Sequence, residues 1–495
     1  MFHRTSQASF ATNRPPTELH GSLSTLKVAA LSLAAAAPLI GIAGTVPLSM
    51  SIGNGAGAPG AYLIATATLL CFAVGYAAIS RRVTSTGGFY TYVARSLGRP
   101  SAAASGTLAL LAYNAMVVAL AGGIGYFARL VGQLLLNADL PWWGFSVGFV
   151  ALMGICGYRK IDISGRILTV LMALEFSVLT LLTVAIILIK GTAAFPAAAF
   201  SPHTVFSGAP SVAIMFAFGS FCGFEAVAVY ALETRMPKRT LPRAMYIAVV
   251  TVGFFFCLSS WTLVGALGVD QVRNIAGKEQ GMMVLGVAGD FLGPAMVALI
   301  AILIITSAFA CLLASHNAAS RYLYALGHER LMPQAVGRTH PVHQAPYVAS
   351  LTQTGLCLLI VTVYAAAGLD PYRNLTTTMS GISTLGIMLL EATVCVAVMV
   401  YFRKDPDWHW WRTLLAPAIA FLGLLASTVV VWINFNTLTG SDSPIVNSLP
   451  WLVAALPLLA AARPLWLRSR DPNATADLGT QNDQAPGGPT PVSTL

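Results

Sequence analysis

Charge is what this chain lacks most. Of its 495 residues only 9% are Asp, Glu, Lys or Arg and 56% are hydrophobic, with a mean hydropathy of +0.73. So little polar cover excludes a water-soluble globule of this length. The stretches 28–80, 100–128, 244–269 and 291–320 hold no Asp, Glu, Lys or Arg at all, and each exceeds the roughly 20 apolar residues that cross a bilayer. Catalytic signatures are missing as well: there is no P-loop, no His-Glu-x-x-His and no nucleophile–base set. That removes the support for ATP-driven pumping, membrane proteolysis or any other enzyme. No charged ring or repeated filter suggests a channel. The seven cysteines (71, 156, 222, 257, 311, 357, 395) lie in apolar segments without CxxC or CxH spacing. They read as packing thiols, and neither a metal nor a cofactor is expected.

What is present is a train of apolar segments. Twelve spans are predicted, near 26–51, 60–80, 103–128, 142–158, 166–189, 210–232, 244–268, 294–319, 347–367, 375–402, 412–435 and 447–467. The 269–293 segment, with Asp270, Arg273, Lys278, Glu279 and Asp290, is read as extramembranous. An even number of spans puts both termini on one side. With the N-terminus inside, 23 of the 28 Lys and Arg residues fall on the cytoplasmic side, and the outer loops keep Arg129, Lys190, Arg273, Lys278 and Arg373. The +10 net charge is mostly this bias. The bases are spread over every inner loop rather than gathered on one face, so no nucleic-acid partner is expected. The polar tail 1–25 has no clear cleavage site and is expected to be retained. The tail 468–495 reads as a disordered cytoplasmic end, where the Asn473-Ala-Thr sequon is without meaning.

The stretch from Phe216 to Arg243 is the most informative. Gly219, Gly223 and Glu225 sit inside a membrane-length apolar segment, and the loop Pro237-Lys-Arg-Thr-Leu-Pro-Arg243 follows. Glycine weakens a helix and a carboxylate is costly in hydrocarbon, so this segment is expected to line a cavity. If spans 1–5 and 6–10 are structural repeats, their odd number inverts the second copy. Spans one and six then correspond, and both carry glycines near their middles, at Gly41-Ile42-Ala43-Gly44 and at Gly219-Ser220-Phe221-Cys222-Gly223. Paired interruptions of this kind point to a transporter's binding site.

On these residues the chain resembles the amino acid–polyamine–organocation superfamily of permeases over roughly 25–402. Thr86-Gly87-Gly88-Phe89-Tyr90-Thr91-Tyr92 is similar to the family's motif after the second span. Phe221-Cys222-Gly223-Phe224-Glu225 with the 237–243 loop matches its sixth-span pattern. Asn317-Ala-Ala-Ser-Arg321-Tyr-Leu-Tyr-Ala-Leu, then Leu331-Met332-Pro333, matches the loop after its eighth span. Gly41-Ile42-Ala43 departs from the pattern, standing where the family has Gly-Ser-Gly. The resemblance implies an all-α polytopic membrane protein of about twelve transmembrane helices, an inverted 5+5 repeat (LeuT-like) plus two peripheral helices. The division is then a tail at 1–25, repeat one at 26–190, repeat two at 210–402, the last two helices at 412–467, and a tail at 468–495. The implied activity is amino acid uptake across the plasma membrane by alternating access, coupled to protons or to exchange. Its rivals are a polyamine or organic-cation carrier and a nutrient sensor that does not translocate.

A helix broken in mid-membrane exposes N–H groups at one half-helix end and C=O groups at the other. The first suits a carboxylate and the second an ammonium, so an amino acid fits between two such breaks. The resemblance assigns substrate contacts to Ile40, Gly41, Ile42, Ala43, Gly44 and Thr45, and to Phe218, Gly219, Phe221 and Gly223. Phe218 and Phe221 are read either as an aromatic gate or as ordinary lipid-facing or core rings. Asn114 resembles a third-span position that contacts substrate in antiporters of the superfamily, or it bonds a neighbouring helix.

Four ionisable residues lie inside spans: Glu175, Glu225, His316 and Glu391. Glu225 follows the sixth-span break and is read as a proton-coupling or gating group, against a structural hydrogen bond. Glu175 stands where many proton-coupled relatives have lysine. It could carry the proton, bind a cation, attract a cationic substrate, or simply join two helices. His316 and Glu391 have no motif behind them and read as core hydrogen-bonding residues.

Overall fold

The computed structural model describes residues 24–83, 88–159, 165–225, 227, 234, 236–328, 330–343, 345–440 and 443–470. Outside the described residues lie both tails with the Asn473 sequon, Thr86 and Gly87 of the Gly-Gly motif, and most of 226–235, which completes the predicted sixth span.

The first span does not form one helix, because it contains Pro38. Proline has no N–H, and its ring pushes the residue before it out of the α region. Helix α1 (Thr25–Ala36) therefore stops, and α2 (Pro38–Leu48) starts afresh with proline in its first turn. Ala37 between them is left-handed, at φ 42°. The sequence reading puts the interruption at Gly41–Gly44, but those residues are helical. Glycine weakens a helix by about 1 kcal/mol, which packing overcomes; the proline ring cannot be accommodated so easily. Downstream of Pro47, α2 runs into a wide turn, Ser49–Gly53.

The chain continues through α3 (Ala58–Ser80), α4 (Phe89–Leu97), α5 (Arg99–Leu136), α6 (Trp142–Arg159), α7 (Gly165–Lys190), α8 (Pro202–Val205) and α9 (Pro210–Gly219). After the second interruption come α10 (Pro237–Leu267), α11 (Val272–Glu279), α12 (Met283–Leu292), α13 (Pro294–His328) and α14 (Tyr347–Ala366). The last are α15 (Thr377–Phe402), α16 (Ala416–Ile433), α17 (Phe435–Thr439), α18 (Pro444–Ser448) and α19 (Pro450–Arg470). Among the described residues there is no strand. Among the described residues eight helices are long and apolar enough to cross a membrane, accompanied by shorter apolar helices at Pro38–Gly53, Pro210–Gly219 and Pro450–Ala462. The predicted span at 142–158 is helical as α6 but is not among the eight.

Helix α5 is the central post, packed against α6, α13, α15 and α19. Small residues let the helices close up: a Cβ on Gly386 of α15 would lie 2.8 Å from the Ala112 Cβ of α5. At the upper end, α11 packs on the Ser49–Gly53 turn. Arg273 Nη2 donates to Gly53 O (2.9 Å) and Arg373 Nη2 to Gly277 O (3.0 Å). At the lower end, Arg82 pairs with Asp405 (3.4 Å) and with Asp407.

Candidate functional site

The sixth span fails by a different route. Helix α9 ends at Gly219, and the chain turns through Ser220–Glu225 with Gly223 at φ 106°, a region side chains rarely enter. A Cβ on Gly223 would also lie 2.8 Å from the carbonyl carbon and oxygen of Ala35. The second break therefore lies against the last turn of α1, and the two interruptions meet.

Three hydroxyls tie α2 and α3 to the second break. Thr45 Oγ1 lies 2.7 Å from Ser220 Oγ and 3.3 Å from Tyr62 Oη, and Tyr62 Oη is 3.4 Å from Ser220 Oγ. Thr45 and Ser220 also donate to the carbonyls of Gly41 and Phe216 one turn back (both 2.7 Å). The Tyr62 ring stacks on Phe256 at 5.1 Å. Phe256 in turn fills the face of Gly41, where a Cβ would lie 2.4 Å from its Cζ. Tyr372 donates its hydroxyl to Gly44 O.

Each break holds a carboxylate. Glu175 of α7, 5% exposed, accepts at Oε2 from Leu39 N (3.3 Å) and from Ser307 Oγ of α13 (2.9 Å). Leu39 N is a first-turn donor of α2 with no partner in its own helix, and an anion complements the positive end of the helix dipole. The chain's own carboxylate thus lies where the sequence reading puts a substrate's. On the other side of that break, Cys311 Sγ donates to Ala35 O (3.2 Å). Glu225, likewise 5% exposed, accepts from Tyr113 Oη at Oε1 (2.6 Å) and from Gly223 N at Oε2 (2.8 Å). Tyr113 stacks on Tyr322 at 5.7 Å.

The remaining candidates divide. Ile42, Ala43, Gly44, Phe218 and Phe221 are buried, so neither ring faces lipid. Ile40, Gly41, Thr45, Gly219 and Gly223 are half-buried, and Gly219 sits on Thr384. Asn114 turns back on its own helix, donating to Leu110 O (2.7 Å). His316 pairs with Ser350 Oγ (2.9 Å) on α14, away from the breaks. Glu391 is buried on α15, and its Oε1 meets no donor among the described residues. Among those residues the buried ionised-type side chains are Glu175, Glu225, Glu391 and His316; no Lys or Arg joins them. The sequence reading missed Tyr62, Tyr113, Ser220 and Ser307. Ser220 stands inside the quoted glycine motif and Tyr113 beside Asn114, but hydroxyls this common carry no signal until a partner is known.

The comparisons agree with this architecture. The family model for amino acid permeases matches residues 23–457. The branched-chain amino acid permease BcaP of Bacillus subtilis is 26% identical over 438 residues, covering 84% of this chain and 89% of that protein. The low-affinity putrescine importer PlaP of Escherichia coli is 25% identical, over 61% of this chain and 66% of the relative. The serine/threonine exchanger SteT of Bacillus subtilis is 24% identical, over 61% and 68%. Among solved structures, a mutant of the Eremococcus coleocola manganese transporter superposes with a TM-score of 0.54 at 14% identity, covering 94% of this chain and 98% of that one; it shares the fold. With the family matched over most of its length and apolar helices throughout, this chain is a multi-pass membrane protein that belongs to the amino acid permease family.

Proposed function

We propose that the chain imports amino acids across the plasma membrane by alternating access, driven by protons or by exchange. The observation that carries this reading is the meeting of two broken helices at one place, between Ala35–Ile40 and Gly219–Glu225. Carbonyls at the end of α1 suit the substrate's ammonium, and the first-turn N–H groups of α2 suit its carboxylate once Glu175 yields them. In this reading the twelve membrane helices form an inverted 5+5 repeat with two peripheral helices, and both termini are cytoplasmic. The lower end, where the basic loops lie, faces the cytoplasm. Glu225 and Glu175 are the proton-coupling and gating groups. Each joins elements that must part when the site opens: Glu225 links the sixth-span turn to α5, and Glu175 links α2 to α13.

One observation favours a second reading, a polyamine or organic-cation carrier. Glu175 already occupies the N-terminus of α2, and no buried Lys or Arg balances the three carboxylates among the described residues. A cargo without a carboxylate would need no displacement of Glu175, and PlaP is a putrescine importer.

Uptake into proteoliposomes separates the two. Labelled amino acids and amines are offered with and without an inward proton gradient at clamped voltage. Gradient-dependent accumulation of a zwitterionic amino acid is expected. Uptake of putrescine-like cations alone would replace the substrate, and uptake only against a preloaded partner would make the protein an exchanger.

A further inference from the structure

Three helices end side by side at the lower end of the molecule. Helix α10 runs antiparallel to α3: Cys257 Sγ meets Pro59 O (3.7 Å), and a Cβ on Gly253 would lie 2.4 Å from Thr66 Cγ2. Helix α16 runs antiparallel to α3 as well, with Gly423 against Thr68 and Pro417 against Gly75. Counting down from those contacts brings Arg81, just past the end of α3, level with Arg239 of α10 and with Arg412, in the turn that opens α16.

Between its two neighbours α3 shows a stripe to the outside. Leu63, Ala67, Val74 and Ala78 recur at helical spacing, each at least partly exposed, and Arg81 is the next position along it. Three of these four side chains are small, so the stripe is the floor of a shallow apolar groove. Helix α10 supplies a wall of exposed Ile247, Val250 and Phe254, and Arg243 and Arg239 continue that row downward.

The foot of the groove is cationic. Arg81, Arg239, Arg243 and Arg412 are exposed, and none has a carboxylate partner among the described residues. The acids of the adjoining connection, Asp405 and Asp407, are held by Arg82. The N-terminus of α10 adds the positive end of its dipole. Beside Arg412 stand Trp410 and Trp411, 58% and 38% exposed, a residue type that gathers at the boundary between hydrocarbon and water. Membrane topology asks only for bases at this end. It does not ask that bases from three separate loops meet at the foot of one apolar groove.

We propose that this groove binds an anionic phospholipid, its phosphate among Arg81, Arg239, Arg243 and Arg412 and an acyl chain along residues 63–78 of α3. Guanidinium forks match phosphate oxygens in pairs. The apolar floor supplies contact that a soluble phosphate ester would leave unfilled. Charge complementarity selects an acidic lipid over phosphatidylcholine, whose own ammonium balances its phosphate. The site goes beyond the transport reading and depends on neither its cargo nor its coupling.

The test titrates phosphatidylglycerol into the full chain in mild detergent, counting bound lipid by native mass spectrometry and following Tm in parallel. One phosphatidylglycerol per chain is expected to bind ahead of phosphatidylcholine and to raise Tm, while glycerol phosphate does neither. Arg239→Gln with Arg243→Gln should weaken binding about thirtyfold, at roughly fivefold per base near an anionic surface. Arg330→Gln with Arg338→Gln removes two exposed charges from another loop of the same end and should leave binding intact. Ala78→Phe keeps every charge but fills the groove, and should also expel the lipid. Ala67→Phe, higher in the same groove, takes its place if that variant does not fold. Equal loss in the two double variants would mean diffuse attraction to a basic surface, and full binding with the groove filled would mean that no acyl chain lies along α3. Either result overturns the site, as does phosphatidylglycerol binding no tighter than phosphatidylcholine, or glycerol phosphate serving as well as the lipid.

Discussion

Two helices of this permease are interrupted at the same depth, but by opposite means. The first is broken by Pro38, which acts through its own covalent geometry and throws Ala37 to φ 42°. The second is broken at glycines, and Gly223 holds φ 106° where an added Cβ would lie 2.8 Å from the Ala35 carbonyl. A proline break is local and would persist in isolation. A glycine break is only permitted by the sequence, and it is the neighbouring α1 that leaves no room for anything larger. The caps differ accordingly. The first break is closed by side chains from α7 and α13, the second by one from α5 and by its own backbone.

The largest effect is expected at the glycine break. Gly223→Ala adds a methyl in a strained region and against backbone, a penalty on the order of 1–3 kcal/mol. Uptake should fall to background and Tm should drop by several degrees in a melting assay. If Gly223→Ala transports normally, the contact with Ala35 does not matter to the cycle.

Pro38→Ala tests the other break, and its signature is the reverse. Alanine lets Ala37 return to the α region, favouring a continuous helix by up to about 3 kcal/mol. Uptake should fall about tenfold while Tm holds or rises. Loss of both together would mean that Pro38 is needed for packing rather than for the break.

Removing one donor from each carboxylate should do less. Tyr113→Phe strips Glu225 of a 2.6 Å hydrogen bond and Ser307→Ala strips Glu175 of one at 2.9 Å; each loss is worth about 1–3 kcal/mol. Uptake rates should fall roughly fivefold to a hundredfold, more for Tyr113 because its bond is the shorter. The reverse order would make the first break the more sensitive.

The smallest effect is expected far from both breaks. Arg129, then Gln133, holds the Asp139 carboxyl below its ordinary value at the upper surface. A lowered carboxylate value stabilises the fold above the ordinary carboxylate range and loses that contribution as pH falls through the lowered value. Asp139→Asn should leave uptake unchanged and flatten the acid limb of a melting-versus-pH curve only slightly, since the pair is exposed.

Much of this was legible in the residues. Charge-free runs longer than a bilayer is thick can hardly be anything but membrane helices, which is why most of the predicted spans coincide with long apolar helices. The interruption of the sixth span was readable at Gly219–Gly223. That of the first lies at Ala37-Pro38 rather than at Gly41–Gly44, because packing overrides the weak helix preference of glycine while the proline ring acts through covalent geometry.

The sequence by itself determined that the chain lives in a membrane, that its first span breaks at Pro38, that a break is permitted at Gly219–Gly223, and that Glu175, Glu225 and Glu391 lie within apolar segments. Those are consequences of composition and covalent geometry, which act over a few residues. Only the tertiary structure decided that the two interruptions touch, that Glu175 caps α2, and that Glu225 receives a tyrosine from α5. These pairs join residues 112 to 188 positions apart. Nothing local encodes such a meeting; the packing of whole helices brings it about.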